Sequence, residues 1–167
     1  MHQRGSPNWL RSVLLLLLCP GLLALGCSRK PPYEGKSVAQ LEKMLNDSDP
    51  KVQAQGAYGL SLLGPEAKPA LPGLAELLKS SDALARQNAA LALGHVGPDA
   101  AEAVPALTET LQDAEWSVRR QAALALGQIG PAARTALPSL QKRSSDPDKL
   151  VRKAAAEAVS KIIVKKQ

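Results

Sequence analysis

Apolar positions along most of the chain recur at helical spacing. Leu74, Leu77 and Leu78 fall at i, i+3 and i+4, which predicts one buried face of a helix. Just downstream, Ala85, Ala89, Leu93 and Val96 predict the buried stripe of a second helix. Between them, Ser80-Ser81-Asp82 supplies short side-chain oxygens that accept from the free N–H groups opening the next helix. Gly97 sits where a C-terminal glycine relieves left-handed strain, and Pro98 prevents continuation. Pro72 stands at or just before the regular part of the first helix, where its missing N–H costs nothing. The predicted unit is helix, turn, helix.

That unit returns every 33 residues: Leu63-Gly64-Pro65, Val96-Gly97-Pro98 and Ile129-Gly130-Pro131 share one register. Pro72, Pro105 and Pro138 keep it, as do Leu41, Leu74, Leu107 and Leu140. So do Val52, Ala85, Val118 and Val151, and Leu60, Leu93, Leu126 and Val159. Four units run from near Ser37 to near Val164. One helix pair cannot bury its small-residue face alone, so stability must come from stacked neighbours. The alanine-rich second helices (Ala89, Ala90, Ala92; Ala122, Ala123, Ala125) permit close approach. The first unit is less regular. Gln53 stands in a column otherwise held by Arg86, Arg119 and Arg152, and Gly56 and Gly59 are expected to weaken its second helix. Such a unit suits an end cap.

The runs Leu84-Ala85-Arg86-Gln87-Asn88-Ala89-Ala90-Leu91-Ala92-Leu93-Gly94 and Val118-Arg119-Arg120-Gln121-Ala122-Ala123-Leu124-Ala125-Leu126-Gly127 resemble HEAT repeats. The likeness is to the short bacterial form also found in phycobilisome-lyase-like HEAT proteins. Ankyrin repeats share the period, but their Thr-Pro-Leu-His signature is absent; tetratricopeptide repeats would bring aromatic columns, which are absent too. The expected fold class is all-α, an α-solenoid of four HEAT-like helical hairpins. The resemblance implies that acid–arginine pairs (Asp82/Arg86, Glu115/Arg119, Asp148/Arg152) form a structural ladder between repeats. It also implies that the second helices line the concave surface.

Composition agrees with an aliphatic helical core: 45% of residues are hydrophobic, 2% are aromatic, and Phe is missing. Two histidines and two cysteines leave little material for a metal or histidine-based active site. No nucleophile–base set, metal-ligand cluster or phosphate loop is legible. No enzyme activity, cofactor or small-molecule substrate is therefore expected. His95, in a column with Leu62, Gln128 and Lys161, reads as a solvated helix position. Asp146-Pro147-Asp148 lacks the spaced ligands and glycine of a calcium loop and is expected to cap the last helix.

Residues 1–26 read as a secretory signal, with Arg4 and Arg11 ahead of an aliphatic stretch from Val13 to Leu25. Its length falls short of the about 20 residues a spanning helix needs. The ending Leu23-Ala24-Leu25-Gly26-Cys27 resembles the lipobox of bacterial lipoproteins, although Ala24 stands where Leu is more usual. That resemblance implies a lipid anchor on Cys27, which would be the single thiol of the mature chain. Residues 27–36 then read as lipidated Cys and a partly extended tether, 37–164 as the repeat domain and 165–167 as a basic tail. The expected location is the bacterial cell envelope, anchored and facing the periplasm. Ser28 after the cysteine, where Asp would suggest inner-membrane retention, favours the outer membrane.

Two surface features point to partners. Tyr58, Leu91, Leu124 and Glu157 form one outward or half-outward column of the second helices, apolar in three of four places, and read as a candidate partner-binding strip. Trp116, in the turn before a second helix, is a candidate anchor, since Trp is favoured at interface hot spots. Charge is also segregated. Ser28 to Val118 holds 8 Lys and Arg against 12 Asp and Glu, whereas Arg119 to Gln167 holds 11 against 3. Arg119, Arg120, Lys142, Arg143, Lys149, Arg152, Lys153 and Lys161 form a candidate basic end patch toward anionic lipid, a polyanion or an acidic protein. Nucleic acid is not an expected partner, because export, missing aromatic interleaving and the lack of a recognition motif all speak against it. The expected function is a membrane-anchored scaffold that binds an unidentified protein noncovalently. The alternatives are a lyase-like or enzyme-accessory module and a purely structural envelope protein.

Overall fold

The computed structural model describes residues 30–163, so the signal-like segment, Cys27 and the tail at 165–167 lie outside the described residues. Among the described residues, eight α-helices make four hairpins and no strand occurs. The first helix of each hairpin is short: α1 (Val38–Leu45), α3 (Leu71–Leu77), α5 (Val104–Thr110) and α7 (Leu137–Arg143). The second helices are about twice as long: α2 (Pro50–Leu63), α4 (Ala83–Val96), α6 (Trp116–Ile129) and α8 (Lys149–Ile163). Each hairpin leads into the next through a 3₁₀-helical segment, at Gly64–Ala70, Gly97–Ala103 and Gly130–Ala136.

Local chemistry explains most boundaries. Ser37 and Gln40 form a reciprocal capping box on α1. Asp49, Asp82 and Asp148 accept from the first backbone N–H groups of α2, α4 and α8, at 2.9, 2.8 and 2.7 Å. Pro72, Pro105 and Pro138 occupy the first turn of α3, α5 and α7 as expected. The Gly-Pro steps end α2, α4 and α6, but the chain does not loop there. It resumes at once as the 3₁₀ segment, because a proline φ is already helical. Gly97 and Gly130 carry φ of 75° and 73° with ψ near −139° and −138°. That is the mirror image of extended backbone rather than a left-handed helical turn. It is open to glycine alone, although a Cβ at either position would touch nothing.

The second helices stack in sequence, α2 on α4 on α6 on α8, with Leu60, Ala89, Leu93, Ala122, Leu126 and Ala155 buried. Close approach depends on Gly94 and Gly127, where a Cβ would lie 3.0 Å from the Ala125 Cα and 2.9 Å from the Ala158 Cα. Gly56 and Gly59, expected to weaken α2, also admit close neighbours. A Cβ on Gly56 would come within 2.7 Å of the Met44 Cβ, and one on Gly59 within 2.8 Å of the Tyr33 Cβ. Both glycines give up helix propensity, about 1 kcal/mol each, to let neighbours sit on the backbone. Tyr33 itself departs from the extended tether expected of it. It folds through a turn onto α2, with its ring edge-on to Tyr58 at a centroid distance of 5.1 Å. No helix among the described residues is long and apolar enough to cross a membrane.

Candidate functional site

An arginine ladder aligns the second helices, and it differs from the one expected. Arg86 and Arg119 do not pair with the acids four residues before them. Arg86 grips Asp113 with Nε and Nη2, at 2.6 and 2.9 Å, and Arg119 grips Asp146 at 2.9 and 2.9 Å. Each acid lies 27 residues on, in the turn of the following unit. The remaining Nη1 donates to two carbonyls of the arginine's own turn, Ser80 and Ser81 for Arg86, Asp113 and Ala114 for Arg119. Asp82 and Asp148 are helix caps, while Glu115 makes no side-chain cap bond. Of the Asp146-Pro147-Asp148 cluster expected to cap the last helix, Asp148 does so, while Asp146 accepts from Arg119, Arg143 and the Asp148 N–H.

These rungs set the carboxyl chemistry. The Arg119 hydrogen bonds outweigh the opposing effect of burial and hold the Asp146 carboxyl below its ordinary range. Burial pushes the Asp113 carboxyl up. The Arg86 bonds, the Glu115 N–H and the nearby guanidinium charges together exceed that effect, and the net shift is downward. Both arginines are raised in turn, chiefly by the same bonds. At the first junction the rung is neutral. Gln53 Nε2 donates to the Asp47 carbonyl at 2.7 Å, and its Oε1 accepts from the Ser80 hydroxyl at 3.5 Å.

The opposite surface of the second helices carries the apolar strip. Tyr58 is exposed, Leu91 and Leu124 are half-buried, and Glu157 is exposed, the outward and half-outward placement expected. Grooves lie along the strip at two of the junctions between units. One, of about 440 Å³, lies between α2 and α4 and is lined by Tyr33, Tyr58, Leu84 and Asn88, with Lys51 and Asp82 at its edges. The other, of about 140 Å³, lies between α6 and α8, where Leu124 and Leu150 meet Arg120, Lys153 and Glu157. Leu91 lines neither groove.

Leu84 and Leu150 are 55% and 38% exposed, and sequence reasoning missed both. They share a column with Lys51 and Ser117, so only two of its four places are apolar and no stripe stood out. Trp116 is exposed at the start of α6 and lines neither groove.

The basic end patch divides. Arg119 and Arg143 are committed to Asp146. Arg120, Lys149, Arg152 and Lys153 remain exposed, Lys153 with Glu157 at 3.8 Å. His95 is exposed, and its Nδ1 lies 2.7 Å from the Ser61 carbonyl oxygen, which makes Nδ1 the protonated nitrogen. No group of three or more His, Cys, Asp or Glu residues arranged to hold a metal occurs among the described residues. Cys27 lies outside them.

Comparison with known proteins places this architecture. A designed armadillo repeat protein in complex with the peptide (KR)4 superposes with a TM-score of 0.66 at 20% identity, over 75% of this chain and 64% of that one. Human deoxyhypusine hydroxylase, in complex with glycerol, matches with a TM-score of 0.60 at 33% identity, over 79% of this chain and 45% of that one. The complex of CpcE and CpcF of phycocyanin lyase from Nostoc sp. PCC7120 matches with a TM-score of 0.59 at 20% identity, over 86% and 70%. The chain thus spans less than two thirds of the length of the designed solenoid and of the hydroxylase. No curated protein matches the chain. The family model for HEAT repeats matches residues 71–160, more than half of the sequence. With its stacked hairpins and glycine-stopped second helices, the chain belongs to the HEAT-repeat family.

Proposed function

We propose that this chain is a noncovalent protein-docking scaffold held at the bacterial cell envelope by lipid on Cys27. The observation that carries the docking reading is the grooved face of the second helices, where Tyr58, Leu84, Leu124 and Leu150 present apolar surface at the unit junctions. Polar side chains beside them, Asn88 and Gln55 in the larger groove and Arg120 and Lys153 in the smaller, suit an extended or helical segment laid across the stack. That a designed armadillo repeat protein of similar fold is in complex with a peptide supports the docking reading. The noncatalytic reading rests on the residue set, a single histidine and no thiol among residues 30–163. The anchoring reading rests on the lipobox-like segment ending at Cys27.

Crosslinking in native membranes, followed by purification of the full-length chain, tests the proposal. Leu84→Asp combined with Leu150→Asp should remove the crosslinked partners and leave the helical circular dichroism intact. Partners retained by that variant would refute the groove as the docking face. Intact mass of the purified protein should show a chain beginning at Cys27 with acyl mass added. A bilin-like absorbance band on the purified chain would redirect the reading to an accessory of chromophore chemistry.

A further inference from the structure

The ladder has two unfinished ends, and they are complementary. Arg152, in the last unit, donates Nη1 to the Asp146 and Pro147 carbonyls at 2.7 and 2.9 Å. Arg86 and Arg119 make the same two bonds, and these fix the guanidinium so that its Nε and Nη2 edge faces the next unit. Among the described residues no further unit follows Arg152, and no carboxylate meets that edge. Asp47, in the first unit, holds Oδ1 to the Asp49 N–H at 2.9 Å, as Asp113 does to Glu115 and Asp146 to Asp148. No guanidinium reaches it among the described residues, and it is exposed. One end thus offers a two-pronged donor in the pose that binds aspartate, and the other offers an aspartate in the pose that is bound.

The surrounding faces match as well. Ala156 and Ser160 are exposed on α8, in the columns where Ala90 with Gly94 and Ala123 with Gly127 receive the following helix. At the other end Leu62, 60% exposed, occupies the column through which His95 meets Ser61 and Lys161 meets Gly127. The acidic balance before Arg119 and the basic balance after it add long-range attraction between opposite ends. One element opposes docking. Tyr33 lies over Gly59, whose counterparts Ala125 and Ala158 meet the preceding second helix, so Tyr33 occupies the seat of an incoming unit.

We infer that the chain associates head to tail with copies of itself. The C-terminal face of one copy receives the N-terminal face of the next, Arg152 and Asp47 close the rung, and the Tyr33 turn acts as a displaceable stop. Such a contact is heterologous, so association grows into short open rows rather than halting at a symmetric pair. The inference concerns the end faces alone and stands apart from the grooves.

Sedimentation velocity of the full-length chain in detergent, over a concentration series at low and high salt, tests it. Mass should rise with concentration and fall back with added salt. Arg152→Asp and Asp47→Arg should each weaken association by about tenfold or more, whereas an equimolar mixture of the two variants should recover it through alternating native and reversed rungs. Tyr33→Ala should strengthen association. Both charge variants alter exposed ends, and unchanged circular dichroism checks that they fold. A Tyr33→Ala chain that stays monomeric at every concentration would overturn the inference. So would association that survives both charge reversals.

Discussion

The first junction of the stack and the two that follow it solve one alignment problem with different chemistry. Between the second and third units, and between the third and fourth, a half-buried guanidinium spans the gap to a carboxylate. Between the first and second, Gln53 and Ser80 take the same positions with a weak neutral bond. The local half of the rung is the same throughout: Gln53, Arg86, Arg119 and Arg152 all donate to the carbonyl six residues back. The side chain at this column therefore has two separable tasks, bracing its own turn and reaching its neighbour. The first task tolerates glutamine, and the ionic form of the second does not.

Removing the ionic reach should cost most. Arg119→Ala leaves the fully buried Asp146 with Arg143 as its remaining cation, and a loss of about 3 kcal/mol is expected in urea unfolding. Gln53→Ala at the neutral junction should cost about 1 kcal/mol. Equal losses would erase the distinction between the junctions.

Helix approach offers a second contrast. Gly127→Ala drives a Cβ against the Ala158 backbone and should cost about 1–3 kcal/mol. Ser61 holds the equivalent place at the first junction, already with a side chain whose hydroxyl donates to the Tyr58 carbonyl. Ser61→Ala should accordingly cost about 1 kcal/mol, read from thermal unfolding. Transplanting the ionic rung sharpens the comparison further: Gln53→Arg with Ser80→Asp should show a favourable coupling of about 1 kcal/mol in a double-mutant cycle. A coupling of zero would mean that the first junction lacks the geometry and not merely the residues.

Acid gives the most graded test. The folded carboxyls of Asp113 and Asp146 titrate below their unfolded value of about 3.9. Their contribution to stability is therefore complete above that value and is lost as pH falls through the depressed folded ones. Hydrogen exchange should show the later junctions loosening across that range while the first, with no ionic rung, changes least. Uniform loosening would show that the rungs do not govern the acid response.

Much of this was legible along the chain. The period, the four hairpins, the glycine-proline stops and the buried Leu, Ala and Val columns all follow from local spacing, because helix faces and caps are written within a few neighbouring residues. The candidate column at Tyr58, Leu91 and Leu124 lies outward or half-outward as its spacing predicts, whereas the exposure of its neighbours Leu84 and Leu150 is not legible in the sequence. The ladder was recognised with the wrong acids. Asp47, Asp113 and Asp146 do share the 33-residue register. The nearer acids at i−4 were the more natural partners only while each helix was considered alone.

What the sequence alone determined is therefore the repeating unit and its number, since backbone hydrogen bonding, capping and amphipathic spacing are local. What only the tertiary structure decided is which surfaces those units share. A rung across 27 residues, a tyrosine folded back onto Gly59 and a groove between neighbouring helices all depend on the rotation and separation of one hairpin against the next. That placement is set by small-residue packing over the whole stack, and no single stretch of chain contains it.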